Sequence, residues 1–453
     1  MLQIICRNNN NQERIYAIDN LMHNLLGLEK NLYETVFRDD ASSYCIKFQD
    51  KCIIIEDHFF LKYNEPKSYL KAENIPDKLS YFHGDGFEIP IIYGTDKFVK
   101  QKNGDIIVGL DIFASVFFML TRWEEVFLGR EEKGDCNEKE LFTVKNNIHL
   151  RPIVNEYEDF LKSLLTDAGL TFKPRQYNVV LSHDVDGLCH SWAYIAKDFI
   201  RRALRRPAPK LMTTLNWFEL IKYKLKYPNS FSQIEPYAEL CQRCGIQEIF
   251  FIKVCKKGEL ESTYTHDGKD VAYVIKQLEM INSETCFMGF HPSQSTFSNK
   301  NQWDEEVSRY KALLKEPIEI GRNHHLLYNS ETLNYWESST GRKEDCSLYI
   351  SNCVFHRLLG FRSGTVVPYP LFDIHQRREM KLIEHPCCIM DTSIRFSNYK
   401  SESELWNDIE CVTRQVRKHQ GELLLTWHIY VRDIALIDKY IDLCTRVVHN
   451  SVN

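Results

Sequence analysis

The sequence has little of what marks fibrous, disordered, membrane or secreted proteins. Only 19 of its 453 residues are Gly and 14 are Pro, too few for a collagen-like or low-complexity chain. No window of about 18 apolar residues occurs, so we expect no membrane-spanning helix. Residues 1–14 lack the apolar core of a secretory signal. These absences predict a globular, cytoplasmic protein.

The cysteines also lack a regular pattern. There are 15 of them, an odd number, without the spacing of a disulfide framework. In a chain with no export signal, we expect reduced thiols that mostly fill the core. Cys241 and Cys244 have redox or zinc spacing, but no second such pair accompanies them and they fall in a helical pattern. Core packing is therefore the favoured interpretation for this pair.

The charge is nearly balanced. The chain has 57 Lys and Arg against 62 Asp and Glu, a formal net charge of −5. This mild acidity gives no reason to expect nucleic acid as a partner. At roughly 100–200 residues per domain, the length predicts two or three domains, each able to bury a core.

Two polar stretches, 129–140 and 171–176, divide the chain. The first has the composition of an exposed loop, and the helical pattern between them, 153–165, is expected to connect two domains. A strongly apolar helix over 111–126, with Asp111 as its N-cap, should lie at the centre of the first domain. The predicted units are an N-terminal accessory α/β domain over 1–150, a connecting helix and linker over 151–175, and a larger domain over 176–453.

The larger domain repeats one pattern seven times: a short apolar run of strand type ends in a polar residue. From the second run onward, the polar ends are about 29 to 38 residues apart, the length of a strand, a helix and two loops. This period predicts a β/α barrel. The runs cover 179–186, 249–254, 286–291, 318–324, 358–362, 387–391 and 423–428.

Polar residues at these strand ends form the candidate site, because chemistry in parallel barrels collects at the carboxyl ends of the strands. The mixture of acids, histidines and an arginine is what a metal-assisted hydrolase needs. Each residue alone is more often structural, but their shared position favours a site. They are Asp184, Asp186, His291, His324, Arg362, Asp391 and His428.

Five short motifs within residues 175–435 carry a family resemblance. In these motifs the sequence resembles the polysaccharide deacetylases of carbohydrate esterase family 4. The resemblance implies an α/β fold with a distorted (β/α)7-type barrel after a smaller α/β N-terminal domain. The N-terminal part is similar to an uncharacterised domain found ahead of such deacetylases in bacteria. The motifs lie at 182–187, 289–295, 360–369, 389–393 and 425–428.

The resemblance implies a role for each matching residue. Asp184 would be the general base, and Asp186 and His291 would bind a divalent metal, with zinc as the expected ion. Arg362 would hold the base ionised and oriented, and His428 would protonate the leaving group. Asp184 and Asp186, two residues apart in an extended strand, point the same way.

The histidine motif departs from the family pattern, because Ser295 stands where a second histidine is expected. A catalytic zinc normally has three protein ligands, so another residue must supply the third. His324 could supply it from the next strand end; the alternative is a histidine that caps the strand or bonds Asp345. His325 is less suitable, because strand alternation would point it to the other side of the chain.

The remaining candidates each have a structural alternative. Tyr369 and Trp427 could stack on sugar rings, with ordinary packing as the alternative. His183 should face away from the neighbouring aspartates and serve the core. Asp391 either supports His428 or caps a turn, and the turn is the favoured interpretation.

A basic insert over about 189–230 separates the first two predicted barrel strands. Between Lys197 and Lys226 it has nine basic residues against two acidic ones, a local balance of +7, interleaved with apolar residues. This pattern indicates either contact with an anionic membrane or lipid-linked substrate, or a helical pair with a solvated basic face.

The expected function is a metal-dependent hydrolase that removes an acetyl group from an acetylated sugar or glycan intermediate in bacterial polysaccharide metabolism. The expected partner is that glycan, with possible peripheral membrane contact at the inner face and no nucleic acid. Two alternatives stay open: a catalytically silent carbohydrate-binding or assembly protein, which Ser295 favours, and an amidohydrolase for small amides.

Overall fold

The computed structural model describes most of the chain. Its strands and helices are numbered in chain order. The described residues are 1–84, 87–185, 225–226, 232, 234–255, 272, 275–280, 284–315, 317–339, 343–350, 358–395, 401–429 and 437–452.

Seventeen strands are described, eight in the N-terminal part and nine in the C-terminal part. They are β1 (Leu2–Arg7), β2 (Tyr33–Arg38), β3 (Ser43–Phe48), β4 (Lys51–Glu56), β5 (Ser80–Gly84), β6 (Phe87–Ile91), β7 (Gly94–Lys100), β8 (Ile106–Leu110), β9 (Asn178–Val185), β10 (Gln247–Ile252), β11 (Cys286–Phe290), β12 (Ile320–Gly321), β13 (Glu344–Asp345), β14 (Tyr369–Asp373), β15 (Arg378–Glu384), β16 (Cys387–Met390) and β17 (Glu422–Thr426).

The described α-helices cover both parts of the chain. They are α1 (Asn11–Asp19), α2 (Ile112–Thr121), α3 (Glu124–Phe127), α4 (Arg130–Lys133), α5 (Phe142–Lys145), α6 (Ile153–Asp167), α7 (Glu235–Cys244), α8 (Lys300–Leu314), α9 (Ser330–Ser339), α10 (Asp391–Arg395), α11 (Glu402–Lys418) and α12 (Ile437–Val452).

The N-terminal part is a mixed six-stranded sheet in the order β2-β1-β3-β4-β8-β7, with β5 and β6 as a separate hairpin. Its central helix is α2, every residue of which is buried. Asp111 caps α2 as predicted, because its side chain accepts a hydrogen bond from the backbone N–H of Ala114. The helix ends at Arg122, whose left-handed backbone turns the chain into α3.

The C-terminal part is one nine-stranded sheet in the order β14-β15-β13-β12-β11-β10-β9-β17-β16, in which only β14 runs antiparallel to its neighbour. The sheet curls into a half-barrel. Six of the seven predicted runs contribute strands to it. The α/β prediction is therefore confirmed, whereas the distorted (β/α)7-type barrel is not confirmed by the described strands.

The run at 358–362 is not a strand, so that prediction is wrong. Gly360 has a φ of +134°, and a Cβ there would lie 2.2 Å from the carbonyl oxygen of His149. The backbone N–H of Phe361 donates to the same carbonyl at 2.8 Å. The segment therefore turns to pack on the N-terminal part instead of extending along the sheet.

Two hydrophobic clusters organise the molecule. One is continuous from the N-terminal sheet, around α2, to the outer layer of the curled sheet. The other fills the inside of the curl, and includes Val180, Ile249 and Leu424 from neighbouring strands. Cys136 and Leu141, which precede α5, also belong to this inner cluster. The N-terminal part therefore completes the interior of the half-barrel.

The stretch 129–140 is the exposed loop that its composition predicts only in part. Arg130, Cys136 and Glu138 are buried, whereas the following residues are exposed: Glu132, Lys133, Asn137, Lys139 and Glu140. Arg130 is buried because it joins an ion-pair cluster around Glu125, whose carboxylate lies 2.8 Å from Nε of Arg362 and 3.3 Å from Nη1 of Arg130. This cluster anchors the segment against the C-terminal part.

One pair of cysteines lies close together. Cys45 and Cys52, on the adjacent strands β3 and β4, have Cα atoms 6.4 Å apart, a separation that a disulfide can bridge. Cys241 is buried in α7 and Cys244 is half-buried beside it, which is the core packing that was predicted.

The basic insert lies outside the described residues, except for Leu225 and Lys226. Lys226 is exposed, and its Nζ lies 2.7 Å from Asp438. None of the helices in the described ranges combines the length and the apolar character needed to cross a membrane.

Glu125 gives a pH-dependent prediction. Burial raises the pKa of Glu125, but the guanidinium groups of Arg362, Arg122 and Arg130 outweigh it and hold the pKa at about 2. This is below the pKa of a glutamate in an unfolded chain, so the stabilisation is complete above about pH 4.5 and is lost as the pH falls toward 2. We expect Glu125→Gln to lower the free energy of unfolding at pH 7 by about 3 kcal/mol.

Urea denaturation of both proteins at several pH values measures this difference. The stability gap between parent and variant should narrow between about pH 5 and pH 3. A gap that stays constant or widens on acidification would contradict the assignment.

Candidate functional site

Three predicted residues meet at the carboxyl edge of the curled sheet. Oδ2 of Asp184, near the end of β9, lies 3.5 Å from Nε2 of His428 and 4.0 Å from Nε2 of His291. The backbone explains why. β17 continues its ladder with β9 beyond its last residue, because Trp427 and Ile429 donate to the carbonyls of Ser182 and Asp184. His428 is therefore held level with Asp184.

Asp184 is paired with an arginine that the sequence reasoning missed. Nη1 of Arg322, just after β12, donates to Oδ1 of Asp184 at 2.8 Å, and Nη2 donates to Oγ of Ser182 at 2.9 Å. Nε donates to the carbonyl of Cys346 at 2.8 Å. Burial lowers the pKa of Arg322, but Asp184 and the nearby thiols raise it by more, so the guanidinium stays charged beside the carboxylate.

The guanidinium of Arg322 lies over a ring inside the curl. Its Cζ is 4.5 Å from the ring centroid of Phe251 on β10, a cation–π contact. Gly289 on β11 makes room for this ring, since a Cβ there would lie 2.6 Å from Cδ1 of Phe251. The glycine of the histidine motif is thus needed for packing beneath the site.

His428 is flanked by two carboxylates. Its Nδ1 lies 2.6 Å from Oδ1 of Asp391, the first residue of α10, and its Nε2 faces Asp184. The favoured interpretation of Asp391 as only a turn cap is therefore incomplete, because this residue also holds the imidazole. Each ring nitrogen of His428 therefore faces a carboxylate oxygen.

His291 is oriented by the backbone. Its Nδ1 donates to the carbonyl of Arg322 at 2.7 Å, which in the neutral ring leaves the lone pair on Nε2, facing Asp184. Glu306 on α8 fixes the following loop, because its carboxylate accepts from both the N–H and the hydroxyl of Ser293. The hydrogen bond from Nδ1 of His291 to a backbone carbonyl is the kind of contact that commonly aligns metal-binding imidazoles.

His324 lies beside His291, with 5.2 Å between the ring centroids. His325 does not point away from it as strand alternation predicted. Its φ of +55° is left-handed, and its ring centroid lies 4.0 Å from that of His324. The alternation rule fails here because the extended strand has already ended at Gly321.

Arg362 is placed elsewhere, against the expectation that it holds the base. Its Nε donates to Glu125, its Nη1 to the carbonyl of Tyr349 at 3.0 Å, and its Nη2 to Sγ of Cys136 at 3.1 Å. The turn at 358–362 directs it to the N-terminal part. Arg322 makes the contact with Asp184 that was predicted for Arg362.

The two predicted sugar-stacking residues are in the core. Tyr369 and Trp427 are each 1% exposed, so neither ring presents a face to a sugar in solution. The hydroxyl of Tyr369 accepts from Nη1 of Arg122 at 2.5 Å. The alternative of ordinary packing is the one that the structure supports.

His183 serves the core, as predicted. Its Nε2 lies 3.0 Å from Oε1 of Glu248 and its ring stacks on Phe250 at 4.9 Å. Burial raises the pKa of Glu248 more than His183 lowers it. This pair lies on the opposite face of the sheet from Asp184.

A buried lysine, Lys253, lies near the candidate site and was not predicted from the sequence. Lys253 follows β10, is fully buried, and continues the inward alternation of Phe251. The register β10–β11 sets Ile252 opposite Phe290, so Lys253 is level with His291. Lys253 and Arg322 both lie within the last three residues of a predicted strand run, 249–254 and 318–324, and this position is the signal that could have found them.

The predicted metal ligand Asp186 lies outside the described residues. Within the described ranges, no group of three His, Cys, Asp or Glu side chains is arranged to bind a metal. His291 nevertheless has the ring orientation that a ligand needs, and His324 is adjacent. Of the three predicted ligands, the described residues thus include His291 and His324.

Comparison with known proteins covers the N-terminal part. Residues 2–169 match the model of a family of unknown function, DUF7033. This match includes α6, the helix that was predicted to be a connector. No polysaccharide deacetylase model is matched, and no curated protein matches the chain.

Gly289 gives a test of the packing beneath the site. We expect Gly289→Ala to lower the free energy of unfolding by about 1–3 kcal/mol, because the new methyl group overlaps the ring of Phe251. Urea denaturation measures this. The double variant Gly289→Ala with Phe251→Leu should be more stable than the sum of the two single effects predicts, and strict additivity would count against the overlap.

Proposed function

We propose that the chain is a hydrolase that removes an acetyl group from an acetylated sugar or glycan, on a distorted relative of the (β/α)7 barrel. The observation that carries the proposal is the placement of His428 between Asp391 and Asp184. This gives one imidazole and two carboxylates at the carboxyl edge of a parallel sheet, where barrel enzymes have their sites.

Asp184 would act as the general base toward the attacking water. Arg322 supports this role, because its guanidinium keeps the carboxylate charged and fixes Oδ1, leaving Oδ2 toward the two histidines. A base must be held within reach of the proton that it accepts. The two other contacts of Arg322, to Ser182 and Cys346, keep the guanidinium itself in place.

His428 would act as the general acid toward the leaving group. Asp391 supports this role by accepting from Nδ1 and by stabilising the imidazolium, which leaves Nε2 as the atom that delivers the proton. His428 is also 12% exposed in its side chain, more than Asp184 or His291. It therefore lies on the side from which a substrate would arrive.

A thiolate nucleophile is not part of the proposal. Burial raises the pKa of Cys387 to about 11 and raises the pKa of Cys346 well above its usual value. Both thiols would be protonated at neutral pH and therefore weak nucleophiles. The chemistry is assigned to a water molecule instead.

A divalent ion, with zinc as the expected one, would polarise the acyl carbonyl and acidify a bound water. His291 and His324 are the described residues that would hold it. A non-catalytic sugar-binding protein remains the second candidate, because Ser295 replaces a ligand and the described residues contain no group of three suitable side chains.

Asp184→Asn tests the base. We expect acetate release from a panel of N- and O-acetylated oligosaccharides to fall at least about 100-fold, because an amide cannot accept the proton. Asp57→Asn is the matched control, since Asp57 forms a buried pair with Arg14 at 2.7 Å in the N-terminal sheet domain. Equal loss in both variants, or retained activity in Asp184→Asn, would contradict the role.

Metal binding gives a separate test. We expect His291→Ala and His324→Ala each to weaken zinc binding at least about tenfold, measured by competition with a chromophoric chelator. His58→Ala, at a half-buried histidine of the N-terminal sheet domain, should leave the affinity unchanged. Unaltered affinity in His324→Ala would remove this residue from the ligand set.

A further inference from the structure

A continuous run of contacts connects the N-terminal part to the candidate site. It begins at Glu125 on α3, whose Oε1 accepts from Nε of Arg362 at 2.8 Å. Nη1 of Arg362 then donates to the backbone carbonyl of Tyr349 at 3.0 Å. The backbone of Tyr349 is therefore held by Arg362, which is itself fixed by Glu125 of the N-terminal part.

Tyr349 carries the connection to α10. Its hydroxyl shares a hydrogen bond of 2.6 Å with Oγ of Ser393 and donates to the carbonyl of Leu358 at 2.6 Å. Ser393 is the third residue of α10, whose first residue is Asp391. Asp391 in turn holds Nδ1 of His428 at 2.6 Å.

Each side chain of this run is almost completely excluded from water. Glu125 and Ser393 are 0% exposed, Tyr349 is 1%, Asp391 is 2% and Arg362 is 4%. Water does not compete for these hydrogen bonds, which makes each one stronger and its loss more costly. Because the interior is close-packed, a shift at one member must be taken up by its neighbours.

We propose that the N-terminal domain is a working part of the catalytic unit. Glu125 and Arg362 are positioning residues that, through Tyr349 and α10, set the placement of Asp391 against His428. The role of His428 in this statement rests on the proposed function. The domain that matches a family of unknown function thereby acquires a specific role, which is to fix the general acid.

A second ion pair between the two parts of the chain supplies the control. Arg377, in the turn between β14 and β15, makes two contacts with Glu13 on α1, at 2.7 Å and 2.8 Å. Glu13 is fully buried, as Glu125 is. The pair joins the same two parts of the chain, but none of its hydrogen bonds described above goes to α10. A variant of this pair therefore weakens the contact between the two parts without removing a contact that positions α10.

The experiment observes the bond between His428 and Asp391 directly, by proton NMR of the full-length protein. A short Nδ1–H bond to a carboxylate gives a resonance far downfield of the amides, and His428→Asn identifies it by its loss. We expect Glu125→Gln and Tyr349→Phe to shift or broaden this resonance. Glu13→Gln should keep it at the parent position, although its stability falls.

Tyr349→Phe keeps the ring and the carbonyl and removes only the hydroxyl, so it decides the question if Glu125→Gln fails to fold. The proposal is overturned if folded Tyr349→Phe keeps the resonance at the parent position, or if Glu13→Gln alters it as much as Tyr349→Phe does. It is also overturned if the parent protein shows no such resonance. Acetate release is measured in parallel: kcat should fall about tenfold with KM unchanged. A parent protein that releases no acetate contradicts the proposed function, whereas the resonance still reports the connection.

Discussion

The buried pair of Asp184 and Arg322 is the interaction on which the rest of the candidate site depends. A charge buried without its partner costs several kcal/mol, so each side chain can stay inside the curl only while the other is present. Arg322 reaches Asp184 across two intervening strands and lies over Phe251, which requires a glycine at position 289. One guanidinium therefore connects the carboxylate of Asp184 to the ring of Phe251 inside the curl.

The N-terminal part packs into the interior of the half-barrel, on the side where the curled sheet does not close. Residues before α5 enter the inner hydrophobic cluster, and Glu125 gathers three arginines at the junction. Arg130 also pairs with Glu131 at 2.8 Å, so two carboxylates lie among three guanidinium groups, and the loss of either carboxylate would leave buried positive charge without a partner. The two parts of the chain consequently share one hydrophobic core and one polar junction, and neither surface is built to face water alone.

Much of the fold could be predicted because the relevant signals are local. The cap at Asp111, the apolar helix behind it and six of the seven strand runs follow from residues that are near one another in sequence. The exceptions have physical causes. The run at 358–362 turns because its glycine approaches the carbonyl of His149, and Arg130 is buried because it pairs with Glu125, which also binds the distant Arg362. Neither cause is visible in a local window.

The sequence by itself determined which residues stand at strand ends, since alternation and period depend only on neighbouring positions; Asp184, His291 and His428 meet for this reason. Only the tertiary structure decided which arginine pairs with Asp184, because Arg322 and Arg362 both lie at or near the ends of predicted strand runs. The choice depends on which strands are neighbours and where the chain turns. It also decided that Asp391 holds His428, because these residues, far apart in sequence, become neighbours only when β16 pairs with β17 in the sheet.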